Sequence, residues 1–134
     1  MASQTMLRKP SITLTQTDHT RLSKLAESHS SRSPDIAEEL LAELERACIV
    51  SDEAIATDVV RMGSKLRFVS DLGEDRAVTL VFPGEADIAK GKVSILTPIG
   101  TALIGLSTGQ SIDWLARDGQ VHRLTVKTVE AAAI

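Results

Sequence analysis

Residues 93–114 read V-S-I-L-T-P-I-G-T-A-L-I-G-L-S-T-G-Q-S-I-D-W. The stretch begins as a strand, meets Pro98, makes about two turns of apolar helix, stops at Gly105, turns through Gly109 and becomes a strand again. That helix is too short and too apolar to stand free, so Ala102, Leu103, Ile104 and Leu106 must pack against a sheet.

The neighbouring sequence supplies the sheet. From Val60 the apolar period changes from 3.6 to 2, with Leu66 and Phe68 separated by Arg67. D-L-G-E-D at 71–75 reads as a hairpin turn, and R-A-V-T-L-V-F-P as a strand ended by Pro83. A polar excursion, Gly84–Gly91, precedes the strand Lys92–Leu96. In the last hairpin, a two-residue turn at Asp118-Gly119 would set Trp114 opposite Arg123 and Ile112 opposite Thr125, apolar against polar throughout. A three-residue loop, Arg117-Asp118-Gly119, sets Ile112 across from Leu124 and Trp114 across from His122, with Gly119 at the left-handed position such loops need; this register is predicted.

The N-terminal part has helical period. After a loose start with one extended piece at Ile12–Leu14, Thr15 is an N-cap with Asp18 in the capping-box position. Leu22, Leu25 and Ala26 carry the first helix, which fails at S-H-S-S-R-S, residues 28–33. Ser33 and Pro34 restart it, with Asp35 at the positive end of the dipole. Ile36, Leu40, Leu41, Leu44, Ala47 and Cys48 form the apolar stripe of the second helix. Two such helices joined by a short turn predict an antiparallel hairpin with arms of only about 20–23 Å, at 1.5 Å per residue. Arg21 and Lys24 are expected beside the carboxylates of the second arm. Residues 49–59 form the connector, with a brief helical turn after Ser51. The fold class is therefore α+β, with residues 1–50 as a helical hairpin (a short coiled coil) and 51–134 as an antiparallel β-sheet domain with one short helix.

Charge narrows the function. Residues 1–33 hold five cations against two carboxylates, and residues 34–58 hold Arg46 alone against eight carboxylates. With a net charge of −3 and no basic block, autonomous nucleic-acid binding is not expected, because phosphate neutralisation supplies most of that affinity. The aromatics are Phe68, Phe82 and Trp114, too few for base stacking. Cys48 is the single cysteine, so no internal disulfide forms, and it reads as a small core residue. No apolar run is long enough for a membrane span and no apolar segment follows Arg8 and Lys9 as in a secretory signal; a cytoplasmic monomer is expected.

Catalytic chemistry is not evident. Gly91-Lys92 lacks the frame of a phosphate loop, and His19, His29 and His122 have no second ligand at metal spacing. No metal or cofactor is expected. Glu38-Glu39 is the one adjacent carboxylate pair in a helix, and neighbouring helical positions point about 100° apart, so it reads as a solvated face.

E-A-D-I-A-K-G-K-V-S-I-L-T-P-I-G-T-A-L-I-G-L-S-T-G-Q-S-I, residues 85–112, resembles the C-terminal domain of the bacterial transcript-cleavage factors GreA and GreB. A-E-L-E-R-A at 42–47 and D-V-V-R-M-G-S-K-L-R-F at 58–68 extend the likeness to the Rnk family, regulators of nucleoside diphosphate kinase, over roughly residues 12–130. The resemblance implies an FKBP-like sheet domain and a protein partner, RNA polymerase. Gre-type factors grip the rim of the polymerase secondary channel with this domain, and carry acidic residues to the catalytic Mg²⁺ on the tip of a long coiled coil. The rim contact implied here is Leu96, Thr97, Pro98 and Ile99, with Leu96 standing where those factors carry a polar or acidic residue. The hairpin tip, with His29, Ser31, Arg32 and Asp35 as its candidate residues, has no carboxylate pair in H-S-S-R-S. A hard cation needs oxygen ligands within about 2.1 Å, so such a tip on short arms is not expected to assist cleavage.

The leading expectation is a non-enzymatic, polymerase-binding regulator that competes with Gre-type factors. The alternative is a regulator of nucleoside diphosphate kinase level or activity by direct contact. A third reading, a prolyl isomerase on an FKBP-like fold, lacks the aromatic-lined pocket such chemistry uses.

Overall fold

In the computed structural model, which describes residues 9–115 and 118–130, strand β1 (Thr13–Thr15) runs directly into helix α1 (Gln16–His29). Thr15 is the N-cap, its hydroxyl accepting the Asp18 N–H at 3.0 Å. The Asp18 carboxylate does not reach back to Thr15. It is 5% exposed and accepts the Met62 N–H at 3.1 Å, tying the helix to the sheet region. Helix α2 (Pro34–Arg46) begins on Pro34; Ser33 holds the cap position without a side-chain cap hydrogen bond, so the start rests on the fixed φ of proline.

Two expectations for this half are corrected. Cys48 is not in the core. The chain turns extended at Ala47, which moves Cys48 off the helical stripe onto an exposed strand, β2 (Cys48–Val50), parallel to β1. Nor do Arg21 and Lys24 meet the carboxylates of α2: among the described residues no ion pair joins them. Burying Leu22 and Ala26 leaves both cations on the outside of α1. Arg21 instead lies over the Phe82 ring, 4.4 Å from its centroid. The carboxylate that α2 does bury, Glu43, takes its counter-charges from Lys9 at 3.0 Å and Arg46 at 2.8 Å.

The second half forms a five-stranded sheet in the order β5-β4-β3-β7-β6. Strands β3 (Lys65–Ser70), β4 (Asp75–Val81), β6 (Ser111–Leu115) and β7 (Val121–Val129) pair antiparallel, as predicted. The edge strand β5 (Lys92–Ser94) departs from that pattern and runs parallel to β4, because two single-turn 3-10 segments, Pro83–Glu85 and Ile88–Lys90, carry the chain back before it pairs. The β6–β7 register is the predicted one, Ile112 across from Leu124 and Trp114 from His122. Gly119 has φ +81°, while Arg117 of the predicted loop lies outside the described residues. Between Arg67 and Phe68 the β3–β7 register shifts by one residue of β7. That bulge lets Val126 and Val129, three apart, both pack on the core side.

Helix α3 (Pro98–Leu103) lies over the sheet's apolar face, and one continuous cluster joins everything. It holds Leu22 and Ala26 of α1, Leu40 and Leu44 of α2, Leu103 and Ile104 from the α3 segment, and Leu66, Phe68, Leu80, Ile112 and Val126 of the sheet. Main-chain bonds reinforce the joint: Thr13 N–H to Gly105 O at 3.1 Å, Gly105 N–H to Val60 O at 2.9 Å, and Cys48 N–H to Ile12 O at 2.9 Å. The connector adds Asp52, whose carboxylate accepts the Thr17 hydroxyl at 2.6 Å and the Thr17 N–H at 3.3 Å, at the positive end of α1.

Gly100 shows how close the packing is. A Cβ there would stand 2.2 Å from the Ser94 carbonyl oxygen. Gly100→Ala is expected to cost about 1–3 kcal/mol, the range for overpacking, in urea unfolding; Gly84→Ala, where a Cβ meets nothing within 4 Å, is expected to stay within about 0.5 kcal/mol. Equal stabilities would contradict the packing described. A second expectation concerns acid. The Thr17 hydrogen bonds hold the Asp52 carboxyl below its ordinary value of 3.8. A depressed carboxyl contributes stability above its unfolded value and loses it as pH falls through the folded one. Thr17→Ala should therefore move the Asp52 titration upward in side-chain NMR; an unmoved titration would mean the hydroxyl bond is absent.

Candidate partner-docking site

The corner between β5 and α3 is built from short-range hydrogen bonds. Ser94 Oγ accepts the Leu96 N–H at 3.0 Å. Thr97 Oγ1 donates to Ser94 O at 2.7 Å and accepts the Gly100 N–H at 3.1 Å, so Thr97 is the N-cap of α3. Thr101 Oγ1 donates to Ile95 O at 2.9 Å. Pro98 takes the first helical position, where its missing N–H costs nothing. The backbone of the ledge 96–99 is thus fixed by the chain's own hydrogen bonds.

An apolar groove opens beside it at the margin of the sheet's core-facing side, where Val93 and Trp114 continue the face that carries Leu80 and Ile112. Val93, Thr97, Pro98, Ile99 and Trp114 line it, with Ala86 and Ile88 from the 83–90 excursion. Ile88 is 88% exposed, the most exposed of the large apolar side chains among the described residues. Glu74, Arg76, Lys92 and Ser94 complete the lining. Three of the four predicted rim residues, Thr97, Pro98 and Ile99, therefore share one groove. Leu96 does not line it; it is half-buried and packs against the core cluster with Ile99.

A second, narrower cleft lies between α2, α3 and β6, lined by Lys9, Glu39, Glu43, Thr101, Ile112 and Trp114 among others. Trp114 and Pro98 belong to both depressions. Glu38 and Glu39 are both exposed, but Glu39 also lines the cleft, where partial burial pushes its carboxyl up from 4.5, with Lys9 opposing the shift and Asp35 and Glu43 adding to it. His122, opposite Trp114 at a ring separation of 6.0 Å, has Nε2 3.1 Å from Asp118 and Nδ1 3.6 Å from Asp71, so it bridges two hairpin turns.

The hairpin tip is simple in chemistry. Ser31, Arg32 and Asp35 are exposed, whereas the ring of half-buried His29 turns back to within 3.1 Å of the Leu25 carbonyl, at the end of its own helix. Among the described residues no cluster of three His, Cys, Asp or Glu is placed to hold a metal ion, and no helix is long and apolar enough to cross a membrane.

Sequence reasoning missed the contributions of Trp114, Val93 and Ile88 to the groove and of Glu39 to the cleft. Trp114 was readable only as the edge of the core face, and an exposed isoleucine inside a polar excursion is a weak sign by itself. Nothing in the linear order brings Glu39 and Trp114 together.

Comparison with known proteins accords with this architecture. The family described as "Transcription elongation factor, GreA/GreB, C-term" matches residues 55–131, and the one described as "Rnk N-terminus" matches residues 10–50. A "Regulator of nucleoside diphosphate kinase" from Escherichia coli strain K12 is 36% identical over 126 residues, 92% of this chain and 92% of that one. A "Transcription elongation factor GreA" from Thermodesulfovibrio yellowstonii is 37% identical over 100 residues, covering 70% of this chain and 63% of that protein. A solved structure described as "Prokaryotic transcription elongation factor GreA/GreB from Nitrosomonas europaea" superposes with a TM-score of 0.71 at 37% identity, over 90% of this chain and 99% of that one. These relatives are named as regulators and elongation factors, not as enzymes. With both halves matched and a relative alike over nearly its whole length, the chain belongs to the Rnk family, regulators that carry a GreA/GreB-type C-terminal domain.

Proposed function

We propose that this protein is a cytoplasmic regulator that binds RNA polymerase at the rim of its secondary channel, excludes Gre-type factors from that site, and does not stimulate transcript cleavage. The observation that carries the reading is the preformed ledge at Thr97-Pro98-Ile99 beside an uncovered apolar groove, inside the segment similar to the GreA/GreB C-terminal domain. Uncovered apolar grooves rimmed by polar groups are what protein partners fill. Reach separates this chain from the cleavage factors. Its arms of 14 and 13 residues extend about 20 Å at 1.5 Å per residue, and Ser31 and Arg32 stand at the turn where Mg²⁺ would need carboxylates. The chain would occupy the entrance and leave the metal alone.

Direct regulation of nucleoside diphosphate kinase is the second reading, favoured by the name of the Escherichia coli relative. It predicts that purified protein changes kinase activity with no transcription present. On the first reading any such effect is an indirect product of transcription control.

Core polymerase captured on immobilised protein tests the first reading. Wild type is expected to bind, and Ile99→Asp, which places a charge in the groove, to bind at least about tenfold more weakly, in the range of a central interface residue. Leu96→Asp and Pro98→Ala map the rest of the ledge; a folded Leu96→Asp protein that binds normally removes Leu96 from the contact. Wild type that does not bind removes the function. Halted elongation complexes given the protein should show no cleavage products, and should be protected from cleavage by an added Gre factor; shortened transcripts with this protein alone would contradict the account of reach.

A further inference from the structure

We propose that the cleft between α2, α3 and β6 receives a basic side chain, lysine or arginine, from the same protein partner that fills the apolar groove, with Glu39 as its counter-charge. This rests on the polymerase-binding reading and refines it. Pro98 and Trp114 line both the groove and the cleft, so one partner element crossing them reaches both.

The chain itself shows which chemistry the cleft accepts. Lys9 Nζ lies in it, 3.0 Å from Glu43 Oε2, and Arg46 meets the other oxygen of Glu43, so that carboxylate is neutralised from within. Glu39 stands one helical turn before Glu43 on the same side of α2. Among the described residues it accepts no hydrogen bond and makes no ion pair. Burial raises its carboxyl pKa by more than the nearby Lys9 lowers it, with Asp35 and Glu43 adding to the rise, as expected of a carboxylate partly stripped of water. An incoming ammonium or guanidinium relieves that condition, whereas an acidic or apolar side chain does not. The remaining wall suits such a group as well: Trp114 offers an indole to the cation, and Ile112 and Ala102 accommodate an aliphatic stem.

The test compares binding of wild type, Glu39→Gln and Glu39→Lys to purified core RNA polymerase at low and physiological salt, with thermal melts to verify folding. The Glu39 side chain is itself exposed, so both variants should fold. Glu39→Gln is expected to bind about three- to tenfold more weakly at low salt, Glu39→Lys more weakly still, and both with a flatter salt response, because a rim charge acts on encounter and on salt dependence. If wild type binds and Glu39→Lys binds equally well with the same salt response, the cleft assignment is overturned while the groove reading stands. If wild type fails to bind, both fall together.

Discussion

The structure depends on how closely one short loop backbone approaches the base of the hairpin. At Gly105 a Cβ would lie 2.9 Å from Ile12 Cβ and 3.1 Å from the Thr13 carbonyl oxygen, and the residue has φ +80°, a conformation side-chain-bearing residues rarely adopt. Only glycine fits both conditions. That fit lets Gly105 O accept from Thr13 while Gly105 N–H donates to Val60, so one residue connects hairpin, connector and sheet. With Ile12 and Leu14 drawn in, β1 enters the same core as Leu103 and Ile104, and the helices that β1 and β2 bracket have one way to sit.

A hairpin mounted in this manner is a fixed projection, not a tethered arm. Asp18 on Met62, Asp52 on Thr17 and Arg21 over Phe82 attach α1 to the other half at three further points. Its buried residues, Leu22, Ala26, Leu40 and Leu44, belong to the sheet's core instead of forming a separate seam. On the proposed reading, length is a functional quantity, because arms about 20 Å long would limit what the hairpin can touch with the ledge at Pro98 docked. The groove, the ledge and the cleft all lie on surfaces whose backbone is held by β5, α3 and β6, which suits recognition without large rearrangement.

Much of this was legible because local signals agreed. Thr15 before Gln16, Pro34 after Ser33, Thr97 before Pro98 and Gly119 after Asp118 mark ends and turns by rules that involve only a few residues. The β6–β7 register followed from requiring apolar residues to face each other. What failed needed three dimensions. Cys48 looked helical because the α2 stripe continues through it, and only the pairing of β2 with β1 takes it away. The parallel placement of β5 depends on the path of residues 82–91. The bulge at Lys127 was in principle visible, since Val126 and Val129 break the alternation that Leu124 and Val126 begin. Of the candidate site, Thr97, Pro98 and Ile99 were found as a sequence motif, but the groove's other wall comes from Trp114 and Ile88, and no linear spacing reports that they meet.

Native-state hydrogen exchange tests the rigid mounting most directly. If hairpin and sheet are one cooperative body, amides of Leu22 and Leu40 exchange with the same opening free energy as those of Phe68 and Val126, and all four respond alike to denaturant. A hairpin whose amides open at a distinctly lower free energy, while the sheet stays protected, would show that the helices move independently and would contradict the account.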